Sequence, residues 1–158
     1  MGARRKAREC ALQLLFQADL SPMSVSEFHD IYWRLHPKSP EIRKYADFLF
    51  LGTLAHRTDI DALVQKYSEH WRIERMAAVD RNILRMAVFE FLHEQETPTT
   101  VVINEALEIA RKFSTEESTQ FINGILDAIN KHYLPGKDDP TLPDPAGGET
   151  APEEPGSP

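Results

Sequence analysis

The chain has 158 residues, a net charge of −7 and a single cysteine, Cys10. That length suits one domain with a real core, and the charge argues against a protein that coats duplex DNA, which should be strongly basic. A lone cysteine excludes an intramolecular disulfide and leaves a buried free thiol as the expected state of Cys10. No apolar run reaches the roughly 18 residues needed to span a bilayer, and no apolar signal segment follows the charged N-terminus, so a soluble cytoplasmic protein is expected.

The first predicted helix covers about Ala3 to Leu20, with Ala7, Ala11, Leu14 and Ala18 on its buried stripe. It opens on the only dense basic cluster of the chain, Arg4, Arg5, Lys6 and Arg8. Four cations in five residues repel one another and oppose the helix macrodipole, which hints at an anionic partner. Arg5, Glu9, Leu12 and Phe16 share a second stripe. An aromatic in line with an arginine can stack a base and hold a phosphate. The same spacing also suits plain core positions for Leu12 and Phe16.

Ser21-Pro22 ends that helix, and Ser24 with Glu27 forms a capping box for a second, with Phe28, Ile31, Tyr32 and Leu35 on its apolar face. Ser39 as N-cap and Pro40 as first helical residue open a third, facing Ile42, Tyr45, Leu49, Gly52 and Thr53 inward. Gly52 within a helix costs about 1 kcal/mol against Ala, and a close helix–helix approach is a reason to keep it. Thr58 with Asp61 reads as the cap of a fourth helix burying Ile60, Leu63, Val64, Tyr67 and Trp71. Arg72 to Ala78 is a connector or helical turn.

A fifth helix, Val79 to Glu94, buries Ile83, Met86, Ala87 and Phe91. After the break at Thr97-Pro98, Thr99 or Thr100 caps a sixth, with Val102, Ala106, Ile109, Ala110 and Phe113 inward. Ser114 with Glu117 reads as a capping box for the seventh, Thr115 to His132, whose apolar residues are Phe121, Ile122, Ile125, Leu126 and Ile129. The expected fold is all-α, about seven helices in two packed subbundles divided near Pro37 and Thr97. The domain is expected to span residues 1–134. From Pro135 to Pro158 six carboxylates face one Lys among Pro and Gly, which reads as a disordered acidic tail.

No catalytic constellation emerges. The histidines are scattered and no Cys/His set has zinc-ligand spacing, so no metal or cofactor is expected. Asp59 and Asp61 suit a helix N-terminus better than acid–base work. Asn123-Gly124 lies inside an apolar-periodic run, where a hairpin turn is not expected.

Three stretches resemble the NusB family of transcription antitermination factors, in order and correctly spaced. They are R-R-K-A-R-E-C-A-L-Q-L-L-F-Q from Arg4, V-D-R-N-I-L-R-M-A-V-F-E-F from Val79 and F-S-T-E-E-S-T-Q-F-I-N-G-I-L-D from Phe113. The resemblance implies two three-helix subbundles with an Arg-rich N-terminal helix, and a binding function with no bond made or broken. It implies single-stranded boxA RNA as ligand, contacted by Arg4, Arg5, Lys6, Arg8, Phe16, Glu117 and Phe121. The family usually has Tyr where Phe16 stands and often Asp where Glu117 stands. It implies a small-subunit ribosomal protein, NusE, as partner, met around Asp80 and Arg85, and action within an RNA polymerase antitermination complex, notably on ribosomal RNA operons. Salt bridges within the bundle are an equal reading of Asp80 and Arg85. Two other classes stay open: NusB-like domains also accompany ribosomal RNA cytosine methyltransferases, for which this chain has no room, and the bundle could serve protein interaction alone.

Overall fold

The computed structural model describes residues 2–134; the expected tail, 135–158, lies outside the described residues. Seven α-helices follow in order: α1 (Gly2–Leu20), α2 (Val25–Leu35), α3 (Pro40–Ala55), α4 (Arg57–Ser68), α5 (Ala78–His93), α6 (Thr99–Phe113) and α7 (Glu116–His132), with a 3₁₀ turn at Ile73–Arg75. No strand occurs among the described residues.

Local chemistry sets several of these boundaries. Ser24 accepts from the Glu27 N–H while Glu27 returns to the Ser24 backbone, a complete capping box. Ser39 caps α3 ahead of Pro40. Three expected caps differ. α4 starts at Arg57, directly from His56, with no side-chain cap from Thr58. α6 starts after Pro98, also without a side-chain cap. At α7 the cap is Thr115, accepting from the Ser118 N–H, because the Ser114 hydroxyl is committed to Asp80 of α5 at 2.6 Å.

The core runs through all seven helices, and α5 is its axis. α5 packs on α1, α3, α4, α6 and α7. Ile83, Leu84, Met86, Val88 and Phe91 of this helix are almost fully buried. α1 joins α3 along its length, burying Ala7, Ala11, Leu14 and Leu15. Cys10 is a buried free thiol, as expected. Gly52 allows α3 to meet α5: a Cβ there would fall within the Phe89 ring.

Several expected core residues are not in it. Trp71 lies beyond the end of α4 and is 56% exposed; Leu35, Ile31 and Phe113 also face outward. Trp71, Leu35 and Phe113 each sit at or beyond the end of their helix, whereas Ile31 lies in the middle of α2.

Candidate nucleic-acid interface

The start of α1 carries the basic cluster, and its members have different fates. Arg8 is only 4% exposed. Its guanidinium donates twice to the Glu90 carboxylate of α5, at 3.0 and 2.7 Å, and the Tyr45 hydroxyl of α3 donates to the same carboxylate at 2.6 Å. Burial works against the Arg8 charge, but the paired Glu90 outweighs it and holds the pKa above its ordinary value. Burial, reinforced by the Glu90 charge, pushes the Tyr45 phenol up, so it stays a neutral donor.

Arg5 makes a two-pronged pair with Glu105 of α6, both contacts at 2.9 Å, and stays partly exposed. The Arg4 guanidinium lies over the Tyr45 ring, 3.7 Å from its centroid, and reaches Glu94 at 3.5 Å with half of the side chain in solvent. Lys6 is exposed and has no ion pair among the described residues. The mutual repulsion expected along this turn is thus relieved by carboxylates of α5 and α6 and by Glu94 just after α5. Only part of the cluster keeps free positive charge. Arg4, Arg5 and Arg8 line, with Thr97, Val101 and Glu105, a cleft of about 220 Å³ between α1 and α6.

Ion pairs also fix the direction of α1. Arg5 with Glu105 and Glu9 with Lys112 lay α1 beside α6 in the same direction. Arg8 with Glu90, and Asp19 with Arg81, Asn82 and Arg85, run it antiparallel to α5. Phe16 is half-buried on the stripe it shares with Arg5 and Glu9.

The C-terminal candidates gather elsewhere. Glu117 and Phe121 line a cleft of about 500 Å³ with Asp80, Ser118, Trp71, Arg75, Met76 and Ala77, at the joint of the 3₁₀ turn, α5 and α7. Glu117 is exposed; Phe121 is half-buried, its ring edge-on to Trp71 at 6.1 Å. The α1 arginines do not reach this cleft.

Asp80 and Arg85, which read equally as a partner surface and as salt bridges within the bundle, are both buried. Asp80 takes the Ser114 and Ser118 hydroxyls, at 2.6 and 2.7 Å, stapling the α6–α7 corner to α5. Arg85 is forked onto Asp61 of α4, at 2.7 and 3.0 Å, and reaches Asp19 of α1 at 3.2 Å. Their charges tie the helices of the bundle together, and Asp80 also lines the 500 Å³ cleft.

The NusB family profile matches residues 5–131. The chain belongs to the NusB family. The transcription antitermination protein NusB of Koribacter versatilis is 51% identical over 129 residues, covering 81% of this chain and 88% of that protein. The corresponding protein of Solibacter usitatus is 46% identical over 133 residues, covering 83% and 90%. Among solved structures, NusB from T. maritima superimposes with a TM-score of 0.73 at 33% identity, over 82% of this chain and 91% of that one. A chain in the crystal structure of antitermination factors NusB and NusE with dsRNA gives 0.75 at 28% identity, over 84% and 99%. NusB proteins are transcription antitermination factors that act by binding and are not enzymes. No helix of the described residues is long and apolar enough to cross a membrane.

Within this NusB fold, sequence reasoning missed the partners that define the site: Tyr45 beneath Arg4, Glu105 on Arg5, Glu90 on Arg8, and Trp71 and Arg75 in the second cleft. Periodicity placed Tyr45 inward and Trp71 in the core. The ion pairs join residues 82 to 100 positions apart, for which a single sequence holds no local signal.

Proposed function

We propose that this protein is an antitermination factor that binds single-stranded boxA RNA together with the ribosomal protein NusE in the cytoplasm. It would act there within the RNA polymerase complex to promote read-through, notably of ribosomal RNA operons. One observation supports RNA and NusE as ligands above others: the same fold, at 28% sequence identity, occurs in a structure of NusB and NusE in complex with dsRNA.

The geometry divides the work. Arg4 and Lys6 present solvent-facing cations to phosphates. Arg5 shares its guanidinium between Glu105 and the strand. Arg8 acts indirectly: locked on Glu90, it holds α1 against α5 and keeps Tyr45 under Arg4. Phe16, on the outer stripe of α1, offers an aromatic edge to a base. The cleft of Glu117, Phe121, Trp71 and Arg75 is the second contact region. Asp80 and Arg85 keep that end of α5 in shape for NusE. Unpaired bases suit such a surface, because aromatics and guanidinium planes can stack on them as they cannot on a duplex interior.

Titration of boxA RNA against the protein with NusE, across a salt series, tests this. Arg4→Ala and Lys6→Ala should each weaken binding and flatten the salt dependence by roughly 0.7 per lost phosphate contact. Arg57→Ala, at a residue that lines neither cleft, should change neither. Parent-like binding by the Arg4/Lys6 double variant at every salt concentration would overturn the assignment of α1.

A further inference from the structure

On the other side of Arg4 lies a second groove that the proposed RNA path does not use. It has a volume of about 370 Å³ and is lined by Arg4, Glu41, Lys44, Tyr45, Phe48 and Glu94. Its floor is aromatic. Phe48 is 40% exposed although it is a large apolar side chain, and it rests edge-on against Phe89 at 5.1 Å and beside Tyr45 at 5.5 Å. Arg4 forms one wall, with its guanidinium parked on the Tyr45 ring and its outer part in solvent. Lys44 stands exposed at the rim with no ion pair among the described residues.

Three features select the occupant. A flat, partly exposed ring next to a guanidinium plane is a stacking surface for another flat group. A free Lys at the rim supplies the charge that a phosphodiester needs. The carboxylates Glu41 and Glu94 repel a phosphate inside the groove, and Glu41, exposed at its edge, accepts hydrogen bonds from exocyclic amines and ring N–H groups. An unpaired nucleobase fits inside, with its phosphate outside. Arg4 lines both this groove and the α1–α6 cleft, so the two adjoin at the start of α1.

We propose that the α1–α3 groove is a further RNA subsite, seating one unpaired base against Phe48 and the Arg4 guanidinium, with Lys44 on its phosphate. This rests on RNA binding at the start of α1 and extends the footprint around the helix onto α3. It assigns α3 a role in contacting nucleotides that flank the recognised element.

The test uses the full chain with NusE and two sets of RNA: minimal boxA, and boxA extended at one end or the other by a short adenine tail carrying 2-aminopurine. For the parent, extension at one of the two ends should tighten binding roughly five-fold or more, the scale of one stacked base, and quench the 2-aminopurine. Lys44→Gln, a surface change, should remove part of that gain, and Phe48→Ala should remove the gain and the quenching. Both variants should bind minimal boxA like the parent. Circular dichroism checks the Phe48 variant, and Lys44→Gln with the fluorescence signal decides the matter if that variant is unstable. If neither extension tightens binding, or the gain survives in Lys44→Gln with quenching intact in Phe48→Ala, the groove is not a subsite, while binding of minimal boxA leaves the α1 reading in place. If minimal boxA is not bound at all, both fall together.

Discussion

Arg8→Ala separates a phosphate-binding arginine from one that builds the fold. In the structure Arg8 and Glu90 are 4% and 1% exposed and share two short hydrogen bonds. Removing the guanidinium leaves the Glu90 carboxylate buried with the Tyr45 hydroxyl as its remaining close donor. Breaking a buried pair by deleting one partner costs about 3–5 kcal/mol, since the surviving charge is uncompensated. Exchanging both partners for apolar groups, Arg8→Met with Glu90→Leu, should cost far less, because no charge is then stranded. Urea denaturation of the parent, Arg8→Met, Glu90→Leu and the double variant gives the coupling directly. RNA titration under conditions where the single variant remains folded should show the salt slope unchanged. A stability loss below about 1 kcal/mol, joined to a slope smaller by roughly 0.7, would show that Arg8 spends its charge on RNA and refute the reasoning.

Gly52→Ala should destabilise by about 1–3 kcal/mol in urea despite the better helix propensity of Ala, because the new methyl meets the buried Phe89 ring; a stabilised variant would mean that α3 and α5 can separate at no cost. Ile125→Ala, on the buried stripe of α7, should cost about 2–5 kcal/mol, and a loss under about 0.5 would place it at the surface. In acid, the Arg5 hydrogen bond holds the Glu105 carboxylate below its ordinary value near 4.5. Burial opposes ionisation of Asp19, but Arg81, Asn82 and Arg85 outweigh it and likewise hold its pKa down. Carboxylates lowered in the fold stabilise it above their ordinary values and lose that contribution as pH falls through the folded ones. The melting temperature should therefore drop progressively below about pH 4.5, and Asp19→Asn should flatten that slope; an unchanged slope would remove Asp19 from the account.

The seven helices and most of their inward faces were legible in the sequence, because helix periodicity and capping act over three or four residues. Ser24 with Glu27 and Ser39 with Pro40 form the caps their spacing promises. The family was legible too, in three motifs that follow in order between Arg4 and Asp127. What tertiary structure alone decided is which charges remain available. Arg4, Arg5, Lys6 and Arg8 look alike in sequence, yet one is sealed against Glu90, one shared with Glu105, one laid on Tyr45 and one left free. Ser114 reads as a cap until α5 brings Asp80 within 2.6 Å of its hydroxyl. Asp80 and Arg85 read equally as partner-facing or internal groups until Ser118, Asp61 and Asp19 close around them. The physical reason is common to all three. A helix writes its own backbone requirements into adjacent residues, but whether a side chain meets solvent or a counter-charge depends on groups far along the chain, brought within a few ångströms only when the helices pack.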